Sequence, residues 1–241
     1  MKLLDLFSCQ GIGSTGYHRA GWEMTGVDID PTHGRYYPYE FIHADALQYL
    51  IDHGHEYDAI HASPPCQAMT RGNAGRVTNH VNLIPQTRMA LVATGRPFVI
   101  ENVEHAKRHL IDPVTLCGSM FGLTTQDEDG WPLWLPRHRL FETNWGLAAP
   151  PHPAHNTVPG WVAGVYNGGR ARKAGATAAE HRHDCRYVRK GGYVPRDHDV
   201  KRRLLGVDFP TTVKALTECI PPAYTEFIGH QLAAHVKENA A

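Results

Sequence analysis

The sequence predicts an α/β fold, a doubly wound and mostly parallel sheet, and three observations predict it. Short apolar runs alternate with helix-length segments through the first 103 of 241 residues. A glycine-bearing turn follows the first run. Residues able to do chemistry fall at the C-terminal ends of the predicted strands, where open α/β sheets bind ligands.

The elements follow in order. Lys2–Phe7 is a short apolar strand leading into the turn Cys9-Gln10-Gly11-Ile12-Gly13-Ser14. Thr15–Ala20 reads as a helix that stops at Gly21. Met24–Ile29 is a second strand, with Asp28 and Asp30 at its end. Phe41–Ala44 is a third, and Asp45 can cap a helix over Ala46–His53. Asp58–Ser63 is a fourth, running into Pro64-Pro65-Cys66-Gln67. A polar loop to about Asn82 and a helix over Ile84–Thr94 lead to a fifth strand, Pro97–Ile100, ending at Glu101-Asn102. Leu135–Thr143 looks like a strand carrying Arg137, His138 and Arg139. Residues 144–199 are rich in Gly, Pro, His and Arg and too long for a plain loop, so they form a small irregular domain or a functional insertion. Val200–Leu205, Thr211–Cys219 and Pro222–Val236 read as helices. The expected organisation is a catalytic and cofactor-binding region over 1–143, a recognition region over 144–199, and helices over 200–241 that return to the first part.

Composition bounds the function classes. Lys plus Arg and Asp plus Glu are 24 each, a net charge of zero, which argues against a nucleic-acid protein until the charge is divided along the chain. Residues 1–130 carry a net of −6, residues 131–241 a net of +6, and 137–203 alone a net of +8. The acidic half suits a neutral or cationic small molecule and the basic segment suits phosphates; an uneven solvated surface has the same composition. No apolar run is long enough to span a bilayer, and Asp5 interrupts the first one, which makes a poor signal peptide and a good buried strand. Five scattered cysteines without a CxxC favour a reducing, cytoplasmic setting over a disulfide framework.

Three positions read together point to an adenosine-containing cofactor. The turn after the first strand lets backbone approach a ligand, with the following helix N-terminus favouring a polar or anionic group. Asp28 stands where an acid accepts from ribose hydroxyls. Asp45 stands where it can accept from an adenine amine, or cap a helix. Cys66, on a rigid Pro-Pro turn in a polar context, reads as a positioned thiol nucleophile more than as a small buried hydrophobe. Glu101, at the end of the next inner strand, should face the same crevice. A thiol with a nearby carboxyl suits addition to an electron-poor ring, the acid protonating a ring nitrogen as sulfur adds to carbon.

In these residues the chain resembles the DNA (cytosine-5)-methyltransferases, in a compact bacterial or phage-type form. Asp5-Leu6-Phe7-Ser8 with the glycine turn looks like the S-adenosylmethionine loop, Val27-Asp28-Ile29 like the ribose-binding element and Asp45-Ala46 like the adenine-binding one. Pro64-Pro65-Cys66-Gln67 is similar to the catalytic Pro-Cys motif, Glu101-Asn102-Val103 to the catalytic Glu-Asn-Val, and Arg137-His138-Arg139 to the Arg-x-Arg. Ile220-Pro221-Pro222-Ala223 looks like the closing motif that packs beside the cofactor loop. The order matches throughout, and only about 144–199 lies outside the resemblance.

The resemblance implies a Rossmann-like methyltransferase that flips a cytosine out of duplex DNA. It implies that Cys66 attacks C6, Glu101 contacts N3 and the amino group, Arg139 holds O2, and Arg137 positions a phosphate or the thiolate. S-adenosylmethionine, leaving as S-adenosylhomocysteine, would be held by Phe7, Ser8, Cys9, Gln10, Gly11, Gly13, Asp28, Ile29, Asp45, Ala46 and Pro65. DNA would meet Gln67, Arg71 and Arg76 in the loop after Cys66, and Arg170, Arg172, Lys173, Arg186 and Arg189 in the recognition region. A monomer without membrane association is expected; the family admits a restriction-endonuclease partner, and nothing in the sequence indicates one. No metal is expected, because His181, His183 and Cys185 lack a second ligand pair.

The sequence departs from the family pattern at Cys9 and Ile12, where glycine is usual, at Leu135, where glutamine is usual, and at Thr217-Glu218, where Gly-Asn is usual. Methylation of tRNA cytosine and an inert nucleic-acid binder remain alternatives. A nucleotide-dependent oxidoreductase is disfavoured by the incomplete glycine fingerprint and by a Pro-Pro-Cys with no role there.

Overall fold

The computed structural model describes residues 1–65, 81–166 and 193–239. They divide into two compact units. Unit 1 comprises Met1–Leu116, His138–Ala149 and Pro222–Ala241; unit 2 comprises Cys117–Arg137 and Pro150–Pro221.

Unit 1 is the α/β body. Its strands are β1 (Lys2–Leu6), β2 (Glu23–Asp28), β3 (Glu40–His43), β4 (Ala59–Ala62), β5 (Phe98–Asn102), β6 (Val114–Leu116) and β9 (Arg139–Thr143). The order across the sheet is β3-β2-β1-β4-β5-β9-β6. The first five are mutually parallel, and β9 runs antiparallel to both β5 and β6. The order reverses between β1 and β4, which makes their C-terminal ends a topological switch point. An antiparallel strand beside β5 also departs from the all-parallel dinucleotide-binding order, against the oxidoreductase alternative.

Strand alternation sorts the residues of unit 1 onto two faces. Leu4, Leu6, Val27, Ile60, Ala62, Phe98 and Ile100 pack with Leu50 of α2 (Ala46–His53) and with Ile84 and Leu91 of α3 (Ile84–Thr94). The opposite face carries Leu3, Asp5, His61 and Glu101, and α1 (Ile12–Arg19) supplies buried Ser14 and Tyr17. The C-terminal helix of the chain, α6 (Pro222–Asn239), packs on α1. Gly16 is the reason the two helices approach so closely. A Cβ there would meet Pro222 O and Thr225 Oγ1 at 2.1 Å each and Glu226 N at 2.6 Å. Thr225 Oγ1 donates to Gly13 O at 2.6 Å, and Trp22 Nε1 donates to Gly229 O at 2.9 Å. The start of α6 therefore seats against Gly13 and Gly16 of α1.

Unit 2 holds β7 (Thr124–Gln126), β8 (Pro132–Trp134) and β10 (Trp161–Val162) in the order β10-β8-β7, with α4 (His198–Leu205) and α5 (Val213–Glu218). Asp197 caps α4 by accepting from Asp199 N, and Gly206 closes it in the left-handed conformation. Helices α2 and α3 have the ends expected from sequence, and α1 begins three residues earlier, at Ile12. Strands β6, β7, β8 and β10, of two or three residues each, leave no alternation long enough to read.

Across the far edge of unit 1, Arg88 on α3 forms a two-point ion pair with Glu142 on β9, Nε to Oε1 at 2.5 Å and Nη2 to Oε2 at 2.7 Å. Arg88 also donates to His109 O, and Ile111 N donates to Glu142. The Glu142 side chain is only 4% exposed. Removing the guanidinium strands a buried carboxylate, so Arg88→Ala should destabilise the chain by about 3–5 kcal/mol, read from the midpoint of chemical denaturation.

Candidate active site

The candidate site is built on the C-terminal ends of β1, β2, β4 and β5, all in unit 1. After β1 the chain turns through two non-glycine residues in the left-handed region, Phe7 (φ 60°) and Cys9 (φ 49°), then Gly11 (φ 75°). Cys9 thus adopts a conformation that costs a non-glycine residue about 1–2 kcal/mol. Gly11 has a second constraint: a Cβ there would meet the Tyr37 ring at 2.7 Å. Ser8 N donates to Val27 O, Gly11 N to Ser8 O and Cys9 N to Asp28 Oδ2, which locks the turn to β2. Ser8 Oγ is buried and has no hydrogen-bond partner among the described residues. Helix α1 begins at Ile12, with Gly11 as N-cap, so its first N–H groups face the same rim.

Asp28, buried at the end of β2, accepts from Cys9 N and Asp30 N at 2.9 Å each, and His33 Nδ1 stands 3.2 Å away. Ile29 is 69% exposed, an apolar side chain at the strand end. Asp45 caps α2 through one oxygen, accepting from Leu47 N and Gln48 N, and Ala46 is the buried first residue of that helix. Gln10 is buried, Phe7 packs partly into the core and Pro65 is exposed.

On the next strands, Glu101 and Arg139 come together. Glu101 pairs in register with Phe141, so Arg139 lies two residues along on the same face. Arg139 Nε reaches Glu101 Oε1 at 3.0 Å, with the two side chains 13% and 9% exposed. Asn102 Nδ2 donates to Pro64 O at 2.9 Å, tying β5 to the segment that leads into position 66. Cys66, Gln67, Arg71 and Arg76 lie outside the described residues, as do Arg170, Arg172, Lys173, Arg186 and Arg189, and His181, His183 and Cys185.

Arg137 is placed differently from the expectation that it meets a phosphate or a thiolate. It is buried in unit 2 at φ 32°, and its guanidinium donates to Cys219 O (2.9 and 2.7 Å), Thr217 O (2.9 Å) and Val165 O (3.3 Å). A guanidinium can satisfy several carbonyls at once, and here it ties three chain segments of that unit together. Glu218 ends α5 in the same unit.

Sequence reasoning missed the buried polar layer beneath the turn. Ser14 Oγ donates to Asp5 Oδ2 in a short hydrogen bond and accepts from Tyr37 OH at 2.9 Å. Tyr17 OH lies 2.9 Å from His61 Nδ1, and Ser63 Oγ 2.9 Å from His61 Nε2. Burial pushes the Asp5 carboxyl up to about 7; the Ser14 hydrogen bond opposes this, and the charges of Asp28 and Glu101 add to it. Burial pushes His61 down to about 3. The only sequence signal was Asp5 and His61 themselves, polar residues inside apolar strands.

No family model and no curated protein matches the chain. Among solved structures it is similar to a SAM-dependent methyltransferase from Agrobacterium tumefaciens, at 24% identity over 42% of this chain and 38% of that one, with a TM-score of 0.30. It is similar also to the PH0226 protein from Pyrococcus horikoshii OT3, at 18% identity over 47% of this chain and 56% of that one, again with a TM-score of 0.30. The matches thus span about 38% and 56% of those two proteins.

The two buried groups oppose each other in pH. Between about pH 4 and 7 the folded state holds the extra proton on Asp5, so its contribution to stability falls as pH rises. Between about pH 3 and 6.5 the unfolded state holds the extra proton on His61, so its contribution rises with pH. Each slope is about 1.4 kcal/mol per pH unit, and they nearly cancel where the windows overlap. Asp5→Asn should expose a stability that rises from pH 4 to 6.5, and His61→Gln one that falls, both read from denaturation midpoints across that range.

Proposed function

We propose that the chain is an S-adenosylmethionine-dependent methyltransferase that modifies C5 of a flipped-out cytosine in double-stranded DNA. The observation that supports this reading most is the Glu101–Arg139 pair at the end of β5, beside the strand whose end is tied by Asn102 and runs into Cys66.

The turn residues fit such a cofactor. Ser8 Oγ is an orphaned buried hydroxyl at the rim, the backbone N–H groups at the start of α1 face outward, and Ile29 offers an apolar surface for a purine. Asp28 and Glu101 add to the raised proton affinity of the buried Asp5, and this acidic floor suits a cationic sulfonium. Phe7, Ser8, Cys9, Gln10, Gly11, Gly13, Asp28, Ile29, Asp45, Ala46 and Pro65 are the residues assigned to hold it. When bound, S-adenosylmethionine supplies an electrophilic methyl group.

The chain's own residues do the rest. The Cys66 thiolate adds to C6, and the C5–C6 π pair moves toward C5 as Glu101 shares a proton with N3. Arg139 holds Glu101 in place and donates to the base oxygen. C5 then takes the methyl group, a base removes the C5 proton, and the electron pair returns to expel the Cys66 sulfur. Methylation of tRNA cytosine uses the same chemistry, and substrate choice is therefore an outcome of the test.

With duplex DNA carrying 5-fluorocytosine and S-adenosylmethionine, the wild-type chain should form a covalent complex that withstands denaturation. Cys66→Ser should abolish it, and Glu101→Gln should slow methyl transfer about 10²- to 10⁴-fold. Bisulfite sequencing of DNA from expressing cells should reveal methylated sites; methyl transfer to tRNA alone would overturn the DNA assignment. The logarithm of DNA affinity should fall linearly with that of salt concentration, and replacing Arg170, Arg172 and Lys173 by Ala should reduce the slope by about 1 for each phosphate no longer neutralised. A flat wild-type slope would contradict the electrostatic part.

A further inference from the structure

In unit 2, Cys117 opens the first chain segment, and His152 and His155 lie near the start of the second. The Cys117 Sγ to His155 Nε2 distance is 3.3 Å, the His152 Nε2 to His155 Nε2 distance is 3.1 Å, and all three atoms lie within 4.8 Å of one another. From the geometry we infer that these residues form a binding site for one divalent transition-metal ion of the zinc class.

The spacing carries the inference. A tetrahedral ion with bonds of about 2.3 Å to sulfur and about 2.05 Å to nitrogen sets its ligand atoms about 3.5 Å (S to N) and about 3.3 Å (N to N) apart. The observed separations lie within about 0.3 Å of both. Hydrogen bonding explains the arrangement less well. His155 Nε2 faces a thiol sulfur and a second imidazole nitrogen at once, and one imidazole nitrogen has either a single hydrogen or a single lone pair to offer. A shared cation satisfies all three atoms together.

The chemistry of the donors selects the ion. One thiolate and two imidazoles suit a borderline-soft cation and exclude calcium and magnesium, which take oxygen. The surroundings are those of a ligand set. Ser119 Oγ lies 3.2 Å from Cys117 Sγ as donor, which stabilises a thiolate. Cys117 is fully buried at the start of the turn Gly118–Phe121. Trp134 packs edge-on against the His155 ring at 5.0 Å between centroids. Pro153 holds His152 extended, and Thr157 N and Oγ1 both donate to Ala154 O, shaping the turn that presents the two histidines on one side. Both histidines are exposed. The ion would join the two passages of chain that make up unit 2, across a separation of 35 residues in sequence.

Cobalt(II) tests this directly. The full chain, stripped with a chelator, should bind about one equivalent and develop the intense thiolate-to-cobalt absorption together with the visible bands of a tetrahedral ion. Cys117→Ser should lose the thiolate band. His152→Gln and His155→Gln, at exposed positions that folding tolerates, should each weaken cobalt binding at least about tenfold, and Ser119→Ala about tenfold. A double variant, His181→Gln with Cys185→Ser, should leave the spectrum unchanged. Cobalt affinity unaltered in both His152→Gln and His155→Gln, or a thiolate band that disappears in the 181/185 variant instead, would overturn the assignment.

Discussion

The candidate site depends on one strand running against the direction of its neighbours. β9 enters the sheet antiparallel between β5 and β6, and this reversal carries Arg139 back to the C-terminal end of β5. Register does the rest: with Glu101 opposite Phe141, the side chain two positions along shares its face. A parallel strand there would have delivered its C-terminal end to the site and its starting residue to the opposite edge. The same reversal lets Glu142, on the other face of β9, close the ion pair with Arg88 on α3. One strand thus ties the helix layer on one side of the sheet to the Glu101 carboxylate on the other.

Beneath the site lies a layer of buried polar groups that costs stability and confers shape. Asp5, Ser14 and Tyr37 form one chain of hydrogen bonds, and Tyr17, His61 and Ser63 another. Fully satisfied networks in a low-dielectric interior hold their members in one geometry. Here that geometry fixes α1 relative to β1 and β4, and so fixes the turn whose backbone faces the ligand rim. The closing helix α6 supports the same turn from behind, and only a glycine at position 16 lets its backbone come near enough.

Unit 2 is organised differently. Its described strands are short, and polar clamps add to buried apolar side chains such as Leu133, Trp134, Val200 and Leu204. Arg137 gathers three carbonyls from two segments, Glu128 accepts from Tyr193 OH and Asp197 N, and Cys117, His152 and His155 converge near the points where the chain enters the unit.

The zero net charge of the whole chain hid an acidic half and a basic half, and this division needed nothing beyond the sequence. So did the parallel alternation of β1 to β5, the bounds of α2 and α3, and the strand-end positions of Asp28 and Glu101. Local patterning determines these, because strand period, helix caps and glycine turns are properties of neighbouring residues. Tertiary structure alone decided which residues meet across long separations. It joined Arg139 to Glu101, turned Arg137 from an expected ligand contact into a clamp on unit 2, and gathered Cys117 with His152 and His155, where the sequence had offered His181, His183 and Cys185. These outcomes rest on strand direction, register and close helix approach, which no window of neighbouring residues encodes.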